Sequence, residues 1–526
     1  MRGEILHIGA GVALALMAWL VPRWVARARW GGMPALLLDV FPAALGWALV
    51  LAATARPIFA GVVVLALGGG LALADQVKRD TLREPVVFSD MAELPFVFTH
   101  PHLYLPFAGT GTVLAGAALA LAAALALLLL EPPLWGFTVL PIAVLGGLTA
   151  VAGWALSREP VLGRAAAALR RLRPSDDPIV DGARLCPYAT LYIYGLIARH
   201  ERSARRARVA APAILRERSS PAATAGAAPV VLVQCESFFD ARRLAPQRLA
   251  GLLPGFAGCC AGNAVFGRFD VSGWGANTMR AEFAAVTGIA DAELGYDRFN
   301  PYHAFARVPI ASLAWELRAA GYRTICLHPF DRWFYRRDLA LPVLGFERFL
   351  GRESLGGARR PPYCPDPDLA GHILRTLDTE GPRVFIFAIT MGNHGPWSGP
   401  WPPGSPAPDP TLRRLVAETG LEGDGELLRY LDGLSRSDAM LDILVRGFAE
   451  RGCGGLLAFY GDHLPSLPRA FRHFGFDEWA SDYVLWRNGA GRPHRLDLPA
   501  HRLSGLILDT LYARRPAAAE AAGALG

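Results

Sequence analysis

The chain has 526 residues, of which 52% are hydrophobic and only 19% charged, and its formal net charge at pH 7 is +7. This length predicts more than one structural unit. The basic charge is almost all arginine, since Lys78 is the only lysine. Without a stripe of mixed basic and aromatic residues, the charge does not indicate a nucleic-acid partner, and we predict none. The seven cysteines form no CxxC pair, so no zinc or disulfide framework is indicated.

Apolar stretches of bilayer length fill the first third of the chain. A helix needs about 20 mostly apolar residues to cross a bilayer. Five stretches reach or approach that length, at 5–21, 33–53, 57–75, 106–130 and 134–156. The first lacks a small-residue cleavage site and is expected to be an anchor. We therefore predict that residues 1–156 form an integral transmembrane bundle of about five helices.

The following segment, residues 157–228, is predicted to connect the membrane bundle to the rest of the chain. It is rich in arginine as far as about residue 208, and its amphipathic stretch 188–198 is typical of an interfacial helix. Residues 209–228 are rich in Ala, Pro and Ser, which predicts a flexible linker.

From residue 229 to about 515 the pattern is that of an α/β domain. Short apolar runs typical of buried parallel strands lie at 230–233, 324–328, 384–389 and 456–460. Amphipathic helical stretches, such as 310–320 and 427–450, lie between them. Strands that alternate with helices predict a mainly parallel sheet. In such sheets, ligands bind beyond the carboxyl ends of the strands.

Residues with metal- or phosphate-binding side chains end or follow each of these four runs. They are Glu236, His328, Thr390 with His394, and Asp462 with His463. One Asp-His pair after a strand is a weak signal, because turns and helix caps also use these residue types. Four such coincidences in order are a much stronger one, and they predict a ligand site at this edge of the sheet.

A glycine-rich turn, Gly273-Trp274-Gly275-Ala276-Asn277-Thr278, precedes a predicted helix. It places Thr278 at the helix N-terminus, where free backbone N–H groups favour an anion. A threonine alkoxide is hard to form near neutral pH unless a divalent cation lowers the pKa of the hydroxyl. Thr278 is therefore a candidate nucleophile; the competing interpretation is that it only caps the helix.

Four motifs together resemble those of lipoteichoic acid synthase and the bacterial phosphoglycerol transferases, in the sulfatase branch of the alkaline phosphatase superfamily. They are Glu236-Ser237-Phe238-Phe239-Asp240, Asn277-Thr278, Gly392-Asn393-His394-Gly395-Pro396 and Gly461-Asp462-His463. The resemblance covers about residues 229–490 and implies a sulfatase-like α/β fold for this domain. Five preceding spans agree with the usual plan of that family.

The resemblance also implies a role for each matched residue. One catalytic divalent metal, usually manganese, with zinc or magnesium as alternatives, is matched by the ligands Glu236, Thr278, Asp462 and His463. Thr278 further matches the nucleophile, and His394 matches a histidine that contacts the phosphate and the leaving group. The substrate-binding positions are matched by His328, Tyr335 and Arg337, with Tyr335 standing where the synthases often carry Trp.

The implied activity is transfer of glycerol phosphate from phosphatidylglycerol, through a phospho-threonine, to an envelope glycan or polymer. One alternative is a phosphoethanolamine transferase, which usually has Glu-Thr where this chain has Glu236-Ser237. A membrane scaffold with an inactive enzyme domain is a second alternative. A true sulfatase is disfavoured, because neither Cys186 nor Cys364 lies in a formylglycine signature.

Two signals disagree on the side of the membrane that carries the α/β domain. Arginine clusters near residues 23–29, 79–83 and 164–173 favour a cytoplasmic domain, by the positive-inside rule and five spans. The envelope chemistry of the family favours the opposite side. We predict a multi-pass protein of the bacterial inner membrane whose catalytic domain lies outside the cytoplasm.

Overall fold

The computed structural model describes residues 2–136, 138–210, 228–355, 363–398, 401, 407–421, 423–452 and 454–512. Its contacts divide the chain into two compact units, Met1–Ser203 and Ala204–Gly526. Most of the linker predicted at 209–228 lies outside the described residues.

The first unit is helical. Its helices are Arg2–Val25, Met33–Thr54, Pro57–Leu82, Leu94–Thr99, Pro101–Ala108, Thr110–Leu130, Leu140–Leu156, Glu159–Arg170, Pro178–Leu185 and Pro187–Val209, with a 3-10 turn at Phe88–Ala92. The last of these extends to Val209, past the end of the unit, and contains the stretch predicted to be an interfacial helix.

Within the part of the chain that the structure describes, four helices are long and apolar enough to cross a membrane, which confirms the predicted bundle. They are Arg2–Val25, Met33–Thr54, Pro57–Leu82 and Thr110–Leu130. The pair Leu140–Leu156 and Glu159–Arg170 is bent by 88° and raises the number to five if it is counted as one span. This last element begins at Leu140 rather than 134, with Pro141 in its first turn, where the missing N–H of a proline is tolerated.

Contacts within the first unit match a membrane setting. No residue of Thr110–Leu130 is buried, so its leucines face outward, as lipid contact requires. The carboxylate of Asp39 is buried and accepts hydrogen bonds from Trp19 Nε1 at 2.7 Å and Arg23 Nη1 at 2.9 Å. Pairing of this kind reduces the cost of an acidic group inside a bundle.

The second unit is built on one nine-stranded sheet. Its strands are β1 Val230–Cys235, β2 Ala264–Asp270, β3 Arg323–Leu327, β4 Arg348–Leu350, β5 Val384–Ile389, β6 Leu456–Gly461, β7 Ser481–Arg487, β8 His494–Arg495 and β9 Leu498–Pro499. Their order is β4-β3-β5-β1-β6-β7-β2-β8, with β9 also paired to β2. The pairs from β4 to β6 are parallel, which confirms the predicted parallel sheet. Strand β7 runs antiparallel to both β6 and β2, a feature that the sequence did not predict.

Helices cover both faces of the sheet. They are Pro254–Ala261, Thr278–Thr287, Asp291–Leu294, Pro301–Phe305, Leu313–Ala319, Arg337–Val343, Asp366–Glu380, Pro410–Glu418, Gly425–Glu450, Pro468–Phe474 and Leu503–Leu511, with 3-10 turns at Ala241–Leu244, Gly295–Phe299, Phe334–Arg336 and Ala500–Arg502. The helices predicted at 310–320 and 427–450 correspond to Leu313–Ala319 and Gly425–Glu450. The former begins later than predicted because the Ser312 side chain caps it, accepting from Trp315 N at 3.2 Å.

Alternation along β1 divides the core in two. Val231 and Val233 join one hydrophobic cluster, which includes the inner face of Gly425–Glu450. Val230 and Leu232 join the other, which includes the helix Thr278–Thr287. Because successive side chains of a strand point to opposite faces, a continuous apolar run such as β1 is buried on both sides. The carboxyl end of β1, where the polar residues begin, is therefore fixed by packing on both faces of the sheet.

Candidate active site and metal centre

Strand register brings three predicted metal ligands to one place. β1 and β6 are parallel neighbours, and Cys235 is paired with Gly461. The next residues along the two strands are Glu236 and Asp462, followed by His463. Two carboxylates and an imidazole therefore meet at the carboxyl edge of the sheet, where an α/β protein binds its ligands.

These three side chains form a compact buried cluster. One ligand atom from each lies within 4.8 Å of the others. His463 Nε2 is 3.5 Å from Glu236 Oε1 and 3.4 Å from Asp462 Oδ2. Carboxylate oxygens and imidazole nitrogens at this spacing are the ligand set of manganese or zinc.

Hydrogen bonding within the cluster is consistent with a cation between its members. His463 Nδ1 lies 3.1 Å from the Leu464 carbonyl oxygen, which can only accept, so in the neutral ring Nε2 presents its lone pair to both carboxylates. Asp462 Oδ2 is buried and has no hydrogen-bond partner among the described residues. Converging lone pairs and an unsatisfied buried carboxylate oxygen are costly unless a positive ion binds there. The residues present therefore fit a divalent metal.

The carboxylates are positioned by their neighbours. Asp462 Oδ1 accepts hydrogen bonds from the backbone N–H of Ser237 at 2.9 Å and of His463 at 3.0 Å. Thr390 Oγ1 accepts from the Glu236 N–H at 3.0 Å. Burial and then the Asp462 charge raise the pKa of Glu236 to about 8. A bound cation would favour the ionised form and reverse that shift.

Thr278 is the first residue of the helix Thr278–Thr287 and is 8% exposed. The N-cap position belongs to Asn277, and no side-chain capping hydrogen bond is present, so Thr278 does not serve as the cap. Asn277 adopts φ 66° and ψ 37°, a left-handed conformation that strains a non-glycine residue. The helix therefore begins at Thr278 directly after a residue in the left-handed conformation.

The turn before Thr278 is hydrogen-bonded to the segment that follows the predicted ligand His463. Gly275 N–H donates to the Leu464 carbonyl oxygen at 3.0 Å, and the same oxygen faces His463 Nδ1. Gly275 has φ +68°, which a glycine adopts without strain. The chain reaches Thr278 three residues later.

His394 lies close enough to the cluster to interact with its charge. Its Nδ1 is 2.6 Å from the Gly395 carbonyl oxygen, so in the neutral ring Nε2 is the free acceptor. Burial lowers the pKa of His394, while the Asp462 charge acts in the opposite direction. The ring centroid of Tyr363 is 5.5 Å away, and the Glu236 charge adds to burial in raising the pKa of that tyrosine. Tyr363 was not identified from the sequence.

The three predicted substrate-binding residues form a second group. His328 and Arg337 are buried, and Arg337 Nη1 lies 3.1 Å from His328 Nε2. The Arg337 guanidinium is 5.3 Å from the centre of the Tyr335 ring. Burial and the Arg337 charge lower the pKa of His328, which therefore stays neutral. Arg337 also pairs with Glu282 at 2.7 Å, a residue the sequence analysis missed.

Residues 255–504 match the family model "Sulfatase". The chain is 30% identical over 251 residues to a Rhizobium meliloti protein named for cyclic beta-1,2-glucan modification, covering 47% of this chain and 37% of that protein. It is 28% identical over 429 residues to the capsular polysaccharide biosynthesis protein RkpI of R. meliloti, covering 78% and 74% of the two chains. The lipooligosaccharide phosphoethanolamine transferase A of Neisseria meningitidis aligns with a TM-score of 0.51 at 14% identity, over 97% of this chain and 95% of that chain.

These comparisons define the class of the protein. The match to the sulfatase model lies within the second unit and confirms the sulfatase-like resemblance read from the motifs. The last alignment shows a shared fold over nearly the whole chain, with apolar N-terminal helices followed by the α/β domain. The chain spans 37% of the length of the first relative. It is a multi-pass membrane protein with a sulfatase-like domain.

Proposed function

We propose that this protein is a metal-dependent membrane phosphoglycerol transferase. The observation that carries the proposal is the buried cluster of Glu236, Asp462 and His463, whose unsatisfied Asp462 Oδ2 and His463 lone pair call for a cation. Thr278 is the proposed fourth ligand and the nucleophile. The motif resemblance to phosphoglycerol transferases supports the choice of donor, phosphatidylglycerol, and of manganese as the metal.

In the proposed reaction, Thr278 Oγ attacks the phosphorus of the lipid headgroup. When bound, a divalent ion at the cluster would lower the pKa of the Thr278 hydroxyl and offset phosphate charge. The new Thr278 oxygen–phosphorus bond forms as the bond to the diacylglycerol oxygen breaks. The Thr278 hydroxyl proton is released to solvent, and His394, when protonated at Nε2, donates a proton to the leaving diacylglycerol oxygen. Arg337 binds the phosphate oxygens, and Tyr335 and His328 line the headgroup position.

A second transfer releases the phosphoglycerol from Thr278 to an acceptor hydroxyl. The names of the two R. meliloti proteins, one for glucan modification and one for capsular polysaccharide biosynthesis, support an envelope glycan as the acceptor. Decoration of such a glycan takes place outside the cytoplasm. We accordingly propose that the catalytic domain faces outward from the inner membrane.

A second candidate is phosphoethanolamine transfer. The fold shared with the N. meningitidis phosphoethanolamine transferase extends over 97% of this chain, which is the observation that favours it. The same nucleophile and metal would serve either donor. The Glu236-Ser237 sequence, in place of Glu-Thr, supports phosphoglycerol over phosphoethanolamine.

The donor is tested with purified full-length protein in vesicles that contain either phosphatidylglycerol or phosphatidylethanolamine. We expect metal-dependent release of diacylglycerol from the phosphatidylglycerol vesicles. Release only from phosphatidylethanolamine would establish the second candidate instead. Release from neither lipid, by protein that binds metal, would contradict both.

A further inference from the structure

The helix that begins with Thr278 carries a second buried polar residue one turn later. Glu282 lies four positions on, so the two side chains share a face of the helix. Glu282 is fully buried, at 0% exposure. A charged group in such a position is stable only when it is paired and hydrogen-bonded.

Donors from three elements occupy both oxygens of Glu282. Oε1 accepts from Tyr302 Oη at 2.6 Å and from Arg337 Nε at 3.1 Å. Oε2 accepts from Arg337 Nη2 at 2.7 Å and from Gln234 Nε2 at 3.1 Å. The two bonds from Arg337 form a bidentate pair, which fixes the plane of the guanidinium. Gln234 lies on β1, two residues before Glu236.

Arg337 in turn fixes His328. Its Nη1 donates to His328 Nε2 at 3.1 Å, since a guanidinium has no acceptor. His328 Nδ1 donates to the Ile389 carbonyl oxygen at 3.2 Å, which sets the tautomer of the ring. Three of the five N–H groups of Arg337 are thereby used. With respect to the described residues, one N–H on each terminal nitrogen is left for an anionic acceptor.

We propose that Glu282 is a positioning residue that locks Arg337, and through it His328, to the helix of the nucleophile. The inference rests on the proposed function and deepens it. A phosphate held by the remaining N–H groups of Arg337 is then fixed in the same rigid frame as Thr278. Such alignment of two reacting groups is a large source of rate enhancement.

The chain offers a matched control for this ion pair. Arg205 and Asp297 form a second ion pair in the same unit, and its side chains are 2% and 0% exposed. Arg337 and Glu282 have the same values. No candidate site residue belongs to the Arg205–Asp297 pair. Loss of either carboxylate removes the ion-pair partner of a buried arginine, so the structural damage is comparable while the positioning effect is confined to Glu282.

The test uses full-length, metal-loaded protein in detergent and inorganic phosphate as the probe. Glu282→Gln is expected to raise the Kd for phosphate by about tenfold, because the charge-assisted hydrogen bonds from Arg337 to phosphate lose their order. The KM for the donor should rise in parallel. Asp297→Asn is expected to leave both constants within about twofold of wild type, in line with a distant structural change. In an Arg337→Gln background, the Glu282→Gln substitution should add less than about twofold, because both act through one group.

A milder variant keeps the test decisive if Glu282→Gln does not fold. Tyr302→Phe removes one hydrogen bond from the carboxylate and keeps its charge, and should raise the Kd for phosphate by about threefold. Unchanged phosphate binding in the folded variant, equal weakening in Asp297→Asn, or full additivity with Arg337→Gln would overturn the proposal. Phosphate binding is independent of the lipid headgroup. A wild-type protein that binds phosphate but transfers no phosphoglycerol would therefore refute the proposed donor and leave Glu282 untouched.

Discussion

At the scale of single residues, the site concentrates negatively charged side chains in a buried position. Glu236 and Asp462 directly follow two neighbouring strands, are both buried, and lie 3.5 and 3.4 Å from His463 Nε2. In the metal-free protein, burial and then the Asp462 charge raise the pKa of Glu236. The cluster is therefore a source of instability that a cation relieves.

We predict that Asp462→Asn abolishes metal binding and transfer but does not destabilise the metal-free protein. The asparagine Oδ1 still accepts the two backbone N–H bonds, and its amide can donate toward His463 Nε2. Removal of one charge should stabilise the metal-free fold by roughly 1 kcal/mol. Elemental analysis and thermal unfolding with and without chelator measure both effects. Retention of metal by the variant would disprove the ligand assignment.

Asp366 supports the loop that carries His394 and gives a pH-dependent stability. Its Oδ1 accepts from Gly392 N at 3.1 Å and its Oδ2 from Ser437 Oγ at 2.6 Å. Burial raises the pKa of Asp366 to about 6. Because the folded pKa exceeds the unfolded one, this residue stabilises the fold most below about pH 4. That contribution falls as the pH rises to about 6 and is then constant.

Asp366→Asn should remove this pH dependence. Relative to the wild type, the variant should gain about 3 kcal/mol in free energy of unfolding between pH 4 and pH 7. Denaturant unfolding of both proteins across that range gives the difference directly. Parallel curves would show that Asp366 does not titrate in this way.

At the scale of elements, the strand ends decide where the ligands meet. At the end of β1 and β6, where Cys235 pairs with Gly461, position 461 has no space for a side chain. A Cβ on Gly461 would lie 1.8 Å from the Phe238 carbonyl oxygen, a backbone atom that cannot move independently. The residue next in sequence is the ligand Asp462.

Gly461→Ala is therefore expected to destabilise the protein by more than about 2 kcal/mol and to lower its metal content. Gly251→Ala is the control, because no heavy atom lies within 4 Å of a Cβ at that position. It should stay within about 0.5 kcal/mol of wild type. Thermal unfolding and elemental analysis compare the two, and equal stability would contradict the steric argument.

The sequence predicted individual strands and helices better than it predicted which strands pair with one another. The apolar runs gave β1, β3, β5 and β6 because a buried parallel strand is continuous in hydrophobicity. β2 was missed because Gly267, Arg268 and Asp270 interrupt its apolar residues, and β7 because it carries Ser481, Asp482 and Arg487. The order of strands, which brings β6 beside β1, is a tertiary property that no local pattern encodes.

The same limit applies to the site. Glu236, Asp462 and His463 could be listed from the sequence because each follows a strand. Glu282 could not, since it lies within a helical pattern where a glutamate is ordinary, and its partner Arg337 is 55 residues away. Contacts of this range depend on packing rather than on periodicity.

At the scale of the whole molecule, the side of the membrane occupied by the sulfatase-like domain is a prediction. Arginine clusters favour the cytoplasm, whereas the proposed acceptor requires the outside. An alkaline phosphatase fusion after residue 210 should be active, and a cytoplasmic fluorescent protein fusion there should be dark. The same fusions after residue 30, which follows the first span, distinguish four spans from five. Residues 30 and 210 lie on the same side of the membrane with five spans, when the bent pair crosses it, and on opposite sides with four. The reverse pattern at residue 210 would exclude an outward-facing domain.

The proposed covalent intermediate is tested by measuring the mass of the peptide that contains Thr278 after reaction with the donor lipid. Metal-loaded protein is incubated with phosphatidylglycerol without acceptor, quenched and analysed by peptide mass spectrometry. We predict one phosphoglycerol group on Thr278 of the wild type and none on the Thr278→Ala variant. The variant should be inactive, yet folded and able to bind metal through the other ligands. Transfer by Thr278→Ala at near wild-type rate, or a phosphoglycerol group on a different residue, would contradict the account.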